Sequence, residues 1–250
     1  MTKKTWLAAL LLGVAGCAAA QTNIQEMYDF NRGHFTTTLE MFQGDKWGST
    51  FFFTDIYHPN DIAFPTDYYT EIARSFNFWQ GSKLAPMSLH LEWNGGLGNG
   101  YGVANAWLAG VEWFMHNADF SNTFTFELLY KNIIGQTENI PLQFTFVWGM
   151  QNLCGVKGLV FSGFLDIWGE KNVWGMNSDG TLDETGLVLL SEPQLWYNIG
   201  QHLGCSNLYV GGEVELAYNF SGAYPVTWHD RKGFSVAPCL GLKWIFNPAH

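Results

Sequence analysis

Residues Thr36–Asp55 read TTTLEMFQGDKWGSTFFFTD, and this stretch decides the fold. Two runs rich in threonine and aromatic residues flank a short turn around Gly44, which is the pattern of a β-hairpin. In the first run, Leu39 and its alternate neighbours form an apolar face, while Glu40 and Phe42 lie on the opposite face. Similar segments recur along the chain with almost no helical signal between them. The sequence therefore predicts a barrel that turns its apolar face outward, toward lipid.

The later segments divide in the same way into an apolar and a polar face. Leu89 and Leu91, for example, alternate with His90 and Glu92. A single soluble core would not use so many apolar faces while leaving carboxylates opposite them. The predicted fold class is all-β, a transmembrane antiparallel β-barrel of about 12 strands that forms a single domain. The predicted strands span 24–32, 34–43, 47–57, 67–79, 87–95, 104–116, 122–133, 141–151, 156–168, 187–199, 207–220 and 233–246.

The connections between these segments alternate in length. An even number of strands places both termini of the chain on the periplasmic side, with the longer loops outside the cell. The segment Glu170–Thr185, rich in Gly, Asn, Ser and Asp, is expected to be the longest of these extracellular loops. The other outer loops are expected near 58–66, 95–102, 135–140 and 221–232.

Composition restricts the class of protein further. The chain has 250 residues and is 47% hydrophobic, but beyond the N-terminus no apolar run is long enough for a transmembrane helix. Aromatic residues make up 17% of the chain, with 12 Trp, which fits the interfacial girdles of a membrane barrel. A carbohydrate-binding β-sandwich, which also uses Trp, stays open as an alternative.

The N-terminus carries the signals of export. Lys3 and Lys4 precede an apolar run and a small-residue site that ends at Ala20, so residues 1–20 are interpreted as a secretory signal peptide. Residues 21–250 then form the barrel domain, and the expected location is the bacterial outer membrane. The sequence around Cys17, VAGC, also resembles a lipoprotein box, so a lipidated Cys17 at the mature N-terminus stays open.

The mature chain is strongly acidic, since removal of the two lysines takes the net charge from −10 to −12. This charge argues against nucleic acid as a partner, because phosphate binding needs clusters of Lys and Arg. Cys154, Cys205 and Cys239 follow the signal peptide, and the first two fall in turns on one rim, where a disulfide is open. No spacing of Cys and His indicates a metal site, and no cofactor is expected.

Charged residues within the predicted strands are candidates for the interior, the lumen of the barrel. A charge that faces lipid costs about 2–4 kcal/mol at mid-membrane, which favours an inward position. An alternative interpretation is that these side chains only solvate a water-filled interior. The residues concerned are Glu40, Glu92, Glu112, Glu127, Asp166, Glu192, Glu213, Glu215 and Lys243.

The aromatic run in the second strand of the hairpin is a candidate for solute binding. Phe51 and Phe53 share the face of Asp55 and are expected to point inward, where flat rings can stack on a nucleobase. Because the run of Phe residues is continuous, the opposite phase, with Phe52 inward, also stays open.

A resemblance to a known family rests on the same hairpin. The patterns Leu39-Glu40-x-Phe42, Asp45-x-Trp47 and Phe51-x-Phe53-x-Asp55 resemble Tsx-like nucleoside-specific channels, and 71–75, EIARS, is similar to the strand that follows in that family. The resemblance implies a monomeric barrel of about 12 strands whose narrow pore binds nucleosides. The pore-lining residues expected are Glu40, Phe42, Phe51, Phe53, Asp55, Glu71, Arg74, Glu92, Glu112, Glu127, Glu192, Glu213 and Glu215.

The pair Glu71 and Arg74 is expected to hydrogen-bond a neutral solute, because Arg presents a fork of donors and Glu accepts. Three residues of separation aim the two side chains at opposite faces of a regular strand. Both reach the lumen only if a bulge lies between them or if Arg74 lies near a rim; otherwise Arg74 faces the lipid headgroups.

The expected function is passive uptake of small solutes, with outer-membrane lipid and a nucleoside-like molecule as partners, no nucleic acid and no catalysis. Two alternatives belong to other classes. One is a barrel enzyme that acts on lipids, although no Gly-x-Ser-x-Gly motif occurs and no Ser is tied by spacing to His90 or His116. The other is a lipidated, glycan-binding surface protein, which depends on Cys17.

Overall fold

A computed structural model describes residues 21–59, 63–98, 101–135, 140–220 and 232–247, with the side chains of 101–103 left out. The predicted signal peptide and Cys17 lie outside the described residues. The strands are β1 Gln21–Asp29, β2 His34–Asp45, β3 Gly48–His58, β4 Asp67–Phe76, β5 Met87–Gly98, β6 Tyr101–His116, β7 Asn122–Ile133, β8 Leu142–Gln151, β9 Leu159–Trp168, β10 Asn172–Met176, β11 Leu182–Thr185, β12 Val188–Ser191, β13 Gln194–Tyr197, β14 Leu208–Tyr218 and β15 Phe234–Ile245. Two short 3-10 segments, Leu153–Gly155 and Ile199–His202, lie in turns.

The sheet closes on itself to form a barrel. From β1 to β9 each strand pairs antiparallel with the next, and β1 also pairs with β15, where Asn23 lies opposite Ile245. β12 and β13 share one position between β9 and β14. The barrel therefore has twelve strand positions, and the predicted fold class is confirmed. Among the described residues, no helix is long and apolar enough to span a membrane.

The position shared by β12 and β13 contains a break at Glu192-Pro193, where the sequence predicts one continuous strand. Proline has no N–H to donate to the ladder, so the pairing is interrupted there. The neighbouring strand is adapted to the break at Gly163, which has a φ of +151°. A Cβ at Gly163 would lie 2.4 Å from the carbonyl oxygen of Glu192, so only glycine fits.

The two ends of the barrel differ. We call the end where β1 begins and β15 ends the terminal rim, and the opposite end the loop rim. The loop rim carries the segment between β9 and β12, the longest connection between described strands. Within it β10 and β11 pair as a hairpin, and Lys232 forms an ion pair with Asp183 of that hairpin.

The wall of the barrel has an apolar outside and a largely polar inside. Ile72, Leu91 and Leu128 are among the half-exposed residues of the outer wall. Exposed aromatic side chains mark both rims, with Trp47, Phe78, Trp244 and Phe246 at the terminal rim and Phe30, Phe64, Tyr68 and Phe234 at the loop rim. Buried polar residues of the strands include Asn23, Gln25, Thr38, Ser75, His90, Asn94, Glu127, Lys131, Thr145 and Glu215.

The interior also contains an apolar cluster, which the alternation of polar residues does not predict. It lies toward the loop rim, between β6, β7, β9 and β12, where Leu129 and Val188 are fully buried. Because a barrel of this size is narrow, side chains from facing walls meet and can fill part of it. The members are Ala106, Leu108, Leu129, Ile133, Trp168 and Val188, with Leu190 and Phe220 packed against them.

Candidate functional site

A histidine surrounded by carboxylates lies inside the barrel, nearer the terminal rim. His90 of β5 has its Nδ1 atom 3.2 Å from Oε2 of Glu112 and its Nε2 atom 3.1 Å from Oε2 of Glu92. Oε2 of Glu127 lies 3.9 Å from the same Nδ1 atom. We call these four residues the His90 cluster. With a carboxylate beside each ring nitrogen, both nitrogens donate when His90 is an imidazolium.

Strand register brings the His90 cluster together. His90 pairs with Gly110 of β6, and Glu112, two residues further on, pairs with Glu127 of β7. Gly110 carries no side chain, so His90 and Glu127 approach each other across β6. A Cβ at Gly110 would lie 2.1 Å from the carbonyl oxygen of Leu128, which explains the glycine.

Neutral side chains hold parts of the His90 cluster in place. The hydroxyl of Ser75 donates to Glu112 at 2.6 Å, and the side-chain amide of Asn94 donates to Glu92 at 3.2 Å. On β4, the hydroxyl of Tyr69 donates to Glu71 at 2.6 Å.

A second charged group lies near the loop rim, and we call it the Arg32 cluster. The Nη1 atom of Arg32 is 2.7 Å from Oδ2 of Asp29, and its Nη2 atom is 2.9 and 2.7 Å from the two carboxylate oxygens of Glu215. Oδ1 of Asp29 also accepts the backbone N–H groups of Asn31 and Arg32 at 2.8 Å. The β1–β2 turn is therefore tied to β14 across the interior.

The two interior lysines contact aromatic rings. Nζ of Lys131 lies 4.0 Å from the ring centre of Trp168 and donates to Gln143 at 2.7 Å. Nζ of Lys243 lies 4.3 Å from the ring centre of Trp196. Such cation–π contacts stabilise the two ammonium groups inside the barrel.

An aromatic patch lines the wall formed by β3 and β4. The ring centres of Phe51 and Phe53 are 6.0 Å apart, and that of Tyr69 lies 6.0 Å from Phe53. On the same face, Asp55 accepts a hydrogen bond from the buried Thr38. The structure thus places Phe51 and Phe53 on the inner wall, and Phe52 on the outer one.

Arg74 does not line the interior, which corrects the expectation from sequence. The register between β3 and β4 is regular from Gly48 to Tyr57, so no bulge turns Arg74 inward. Its guanidinium donates to Thr50 and forms an ion pair with Asp45 at 2.8 Å, on the outer wall at the terminal rim. Glu71 alone of the expected pair faces the lumen.

The structure places the other residues predicted to line the pore on the inner face or at the break between β12 and β13. Phe42 lies on the inner face at the terminal rim but is 48% exposed, and it pairs with Phe51. Glu192 lies at the β12–β13 break and interacts electrostatically with Glu213 and Glu215. The inner wall holds Glu40, Phe51, Phe53, Asp55, Glu71, Glu92, Glu112, Glu127, Glu213 and Glu215, together with Asp166 and Lys243.

Sequence reasoning missed the Arg32 cluster and one polar group on the outer wall. In that group, the hydroxyl of Thr37 donates to Glu26 at 2.5 Å and lies 2.9 Å from Nε2 of His58. Here the Thr37 hydroxyl lies between the Glu26 carboxylate and the His58 imidazole. In a catalytic triad the imidazole lies between the nucleophilic hydroxyl and the carboxylate. The group does not favour the enzyme alternative. Cys154, Cys205 and Cys239 are free thiols in the structure, which contains no disulfide between Cys154 and Cys205.

The fold and its inner wall define a class: a closed antiparallel barrel of twelve strand positions with a charged interior. The chain belongs to the family described as "Domain of unknown function (DUF5020)", whose model matches residues 21–246. No curated protein matches the chain. The resemblance to Tsx-like channels stays a prediction.

Among solved structures, the barrel is similar to the NanC porin in a rhombohedral crystal form, with a TM-score of 0.54 and 9% identity over 89% of this chain and 98% of that one. A triple mutant of the Rh. blastica porin matches with a TM-score of 0.36 and 9% identity, over 91% of this chain and 99% of that one. At these identities the first likeness concerns the fold alone.

Proposed function

We propose that this protein is an outer-membrane channel through which small solutes pass. The observation that carries the proposal is the inverted polarity of the barrel: apolar side chains cover most of the outer wall, and buried charges occupy the inner one. This arrangement is stable in a lipid bilayer. The closed sheet pairs its backbone N–H and C=O groups by hydrogen bonds, and the apolar side chains of the outer wall do not require hydration. Aromatic side chains at both rims fit the two membrane interfaces.

The charge of the interior bears on which solutes pass. Carboxylates from β1 to β7, β9 and β14 face the lumen, whereas the fixed cations there are Arg32, Lys131 and Lys243 among the described residues. Acidic linings favour cations and disfavour anions in channels. We therefore expect a neutral or cationic solute.

For the solute class we propose a neutral, nucleoside-sized molecule. The support is the aromatic patch of Phe51, Phe53 and Tyr69, beside the carboxylates of Asp55 and Glu71. Stacking on such rings contributes about 1–3 kcal/mol per base. Since Arg74 lies on the outer wall, the hydrogen bonds to the solute fall to Glu71 and Tyr69.

The proposal also covers the contact of the outer wall with lipid and the oligomeric state of the protein. Arg74 lies beside a groove of the outer wall that Ile72, Leu91 and Trp107 line, which suits a lipid chain with its headgroup near the guanidinium. We propose a monomer, because a closed barrel has no free strand edge with which to pair.

The test of the channel is reconstitution in planar bilayers. We expect stepwise conductance with a reversal potential that favours cations, and a reduction of current by millimolar adenosine that glucose does not produce. Absence of conductance in correctly folded protein would refute the channel. Conductance without any effect of adenosine would refute only the nucleoside proposal.

The test of location is fractionation. The protein should sediment with the outer membrane and migrate faster on gels before boiling than after it, because the closed barrel resists detergent. Release as a water-soluble monomer by osmotic shock would contradict the proposal.

A further inference from the structure

The His90 cluster lies in the lumen and contains a group of ligands that fit a metal ion. A ring nitrogen of His90 and one carboxylate oxygen each of Glu92 and Glu127 all lie within 4.8 Å of one another. His90 and Glu127 are 5% and 7% exposed, so both side chains are removed from bulk water. They come from β5 and β7, and Gly110 on the strand between them leaves the space over β6 free of a side chain.

Glu127 is the observation that points to a missing ligand. Its carboxylate lies 3.9 Å from His90, whereas Glu92 and Glu112 contact the same ring at 3.1 and 3.2 Å. A largely buried carboxylate gains little from so long a contact with a shared cation, so a closer cation would stabilise it. The single imidazole already contacts Glu92 and Glu112, so it does not neutralise three carboxylates.

We propose that His90, Glu92 and Glu127 bind a divalent first-row transition ion, for which Zn²⁺ and Mn²⁺ are the probes. One imidazole nitrogen with carboxylate oxygens suits such ions, whereas Ca²⁺ and Mg²⁺ prefer a shell made of oxygen alone. A ring nitrogen of His90 and one carboxylate oxygen each of Glu92 and Glu127 are the ligands, since these atoms lie within 4.8 Å of one another. Glu112, which accepts a hydrogen bond from Ser75, lies 3.2 Å from the same ring and orients it.

Binding of the ion releases protons from its ligands to the solvent. The imidazolium of His90 loses one ring proton to the solvent when that nitrogen becomes a ligand, and any proton held by the ligating carboxyl groups is released with it. One positive charge is exchanged for two, which compensates Glu127. Affinity should therefore fall as the pH falls, since protons compete for the same nitrogen.

The test is calorimetric titration of the full chain, purified and folded in detergent, with Zn²⁺ and separately with Mn²⁺, Mg²⁺ and Ca²⁺. We expect one saturable site for Zn²⁺ and Mn²⁺, and at least tenfold weaker binding of Mg²⁺ and Ca²⁺. The variants His90→Gln and Glu127→Gln should each weaken Zn²⁺ binding by about tenfold or more. The control variants His116→Gln and Glu184→Gln, which remove a histidine and a carboxylate outside the cluster, should bind like the parent.

Unaltered Zn²⁺ binding in both His90→Gln and Glu127→Gln would overturn the inference, as would the absence of saturable binding in the parent. The shift between unboiled and boiled protein on gels shows that each variant is folded. The site deepens the proposed function, because an ion held in the lumen should reduce conductance in the parent and not in His90→Gln. Zn²⁺ binding without any conductance would support the site and count against the channel.

Discussion

The Arg32 cluster and the His90 cluster both hold carboxylates inside the barrel, but they differ in how closely a cation compensates the negative charge. In the Arg32 cluster each carboxylate receives a guanidinium N–H within 2.9 Å, and Asp29 also accepts two backbone N–H groups. In the His90 cluster one imidazole contacts three carboxylates, and Glu127 lies 3.9 Å away from it. Arg keeps its proton at every relevant pH, whereas His exchanges its own. The first cluster is suited to holding the structure, and the second to accepting an ion.

The largest effect is expected for Arg32→Met. The change leaves Asp29 and Glu215 buried without their cation, and removal of one partner of a buried pair costs about 3–5 kcal/mol of unfolding free energy. Urea unfolding in lipid vesicles, followed by tryptophan fluorescence, measures it. The double variant Arg32→Met with Glu215→Leu should recover part of the loss. A single variant as stable as the parent would show that the two clusters do not differ in this way.

A smaller loss is expected for His90→Gln without metal. The imidazolium makes two charge-assisted hydrogen bonds, each worth about 1.5–3 kcal/mol, and the amide of Gln, which can still donate to a carboxylate, replaces one of them. The same unfolding measurement checks it at neutral pH. A destabilisation larger than that of Arg32→Met would reverse the ranking of the two clusters.

The sharpest comparison is between Glu215→Gln and Glu127→Gln, each of which replaces a carboxyl group by an amide of the same size. Glu215→Gln should destabilise the protein, because Arg32 loses an ionised partner. Glu127→Gln, without metal, should lie within about 1 kcal/mol of the parent or be more stable, because no close cation is left behind. Equal losses in the two variants would mean that Glu127 is as well compensated as Glu215.

The smallest effect is expected for Arg74→Ala. Its ion pair with Asp45 lies at the surface, with side chains 23% and 43% exposed, and such pairs contribute about 0–1 kcal/mol. Adenosine block should persist in Arg74→Ala and weaken several-fold in Glu71→Gln. Block that depends on Arg74 would place its guanidinium in the pore, against the register of β4.

Most of the fold was predictable because a strand alternates its faces residue by residue. The alternation placed Glu40, Glu92 and Glu112 correctly, and the same parity rule separates Glu71 from Arg74. The Arg32 cluster was not predictable, because Asp29 and Arg32 meet Glu215 only after β1, β15 and β14 become neighbours. The approach of Glu127 to His90 likewise depends on Gly110. The sequence alone does not show this, because it requires the register of β5, β6 and β7 together.

The apolar cluster around Leu129 shows a second limit of the sequence. Alternation tells which face a residue shares, but the contents of the interior depend on how closely the opposite walls approach. Leu108 and Leu129 lie on the same faces as Glu112 and Glu127, yet they are buried among Trp168 and Val188. A polar face of a strand is therefore not polar along its whole length.

The pairing of β1 with β15 has a consequence for the order in which the barrel assembles. Every other strand position of the sheet pairs with the position next to it along the chain, but Asn23 meets Ile245 from the far end of the sequence. Closing so long a loop has a high entropic cost, and such distant contacts form late and slowly. Until then β1 and β15 are open edges that can pair with other chains. The last step of folding is thus also the one most exposed to aggregation, and a chaperone that covers either edge would act at that step.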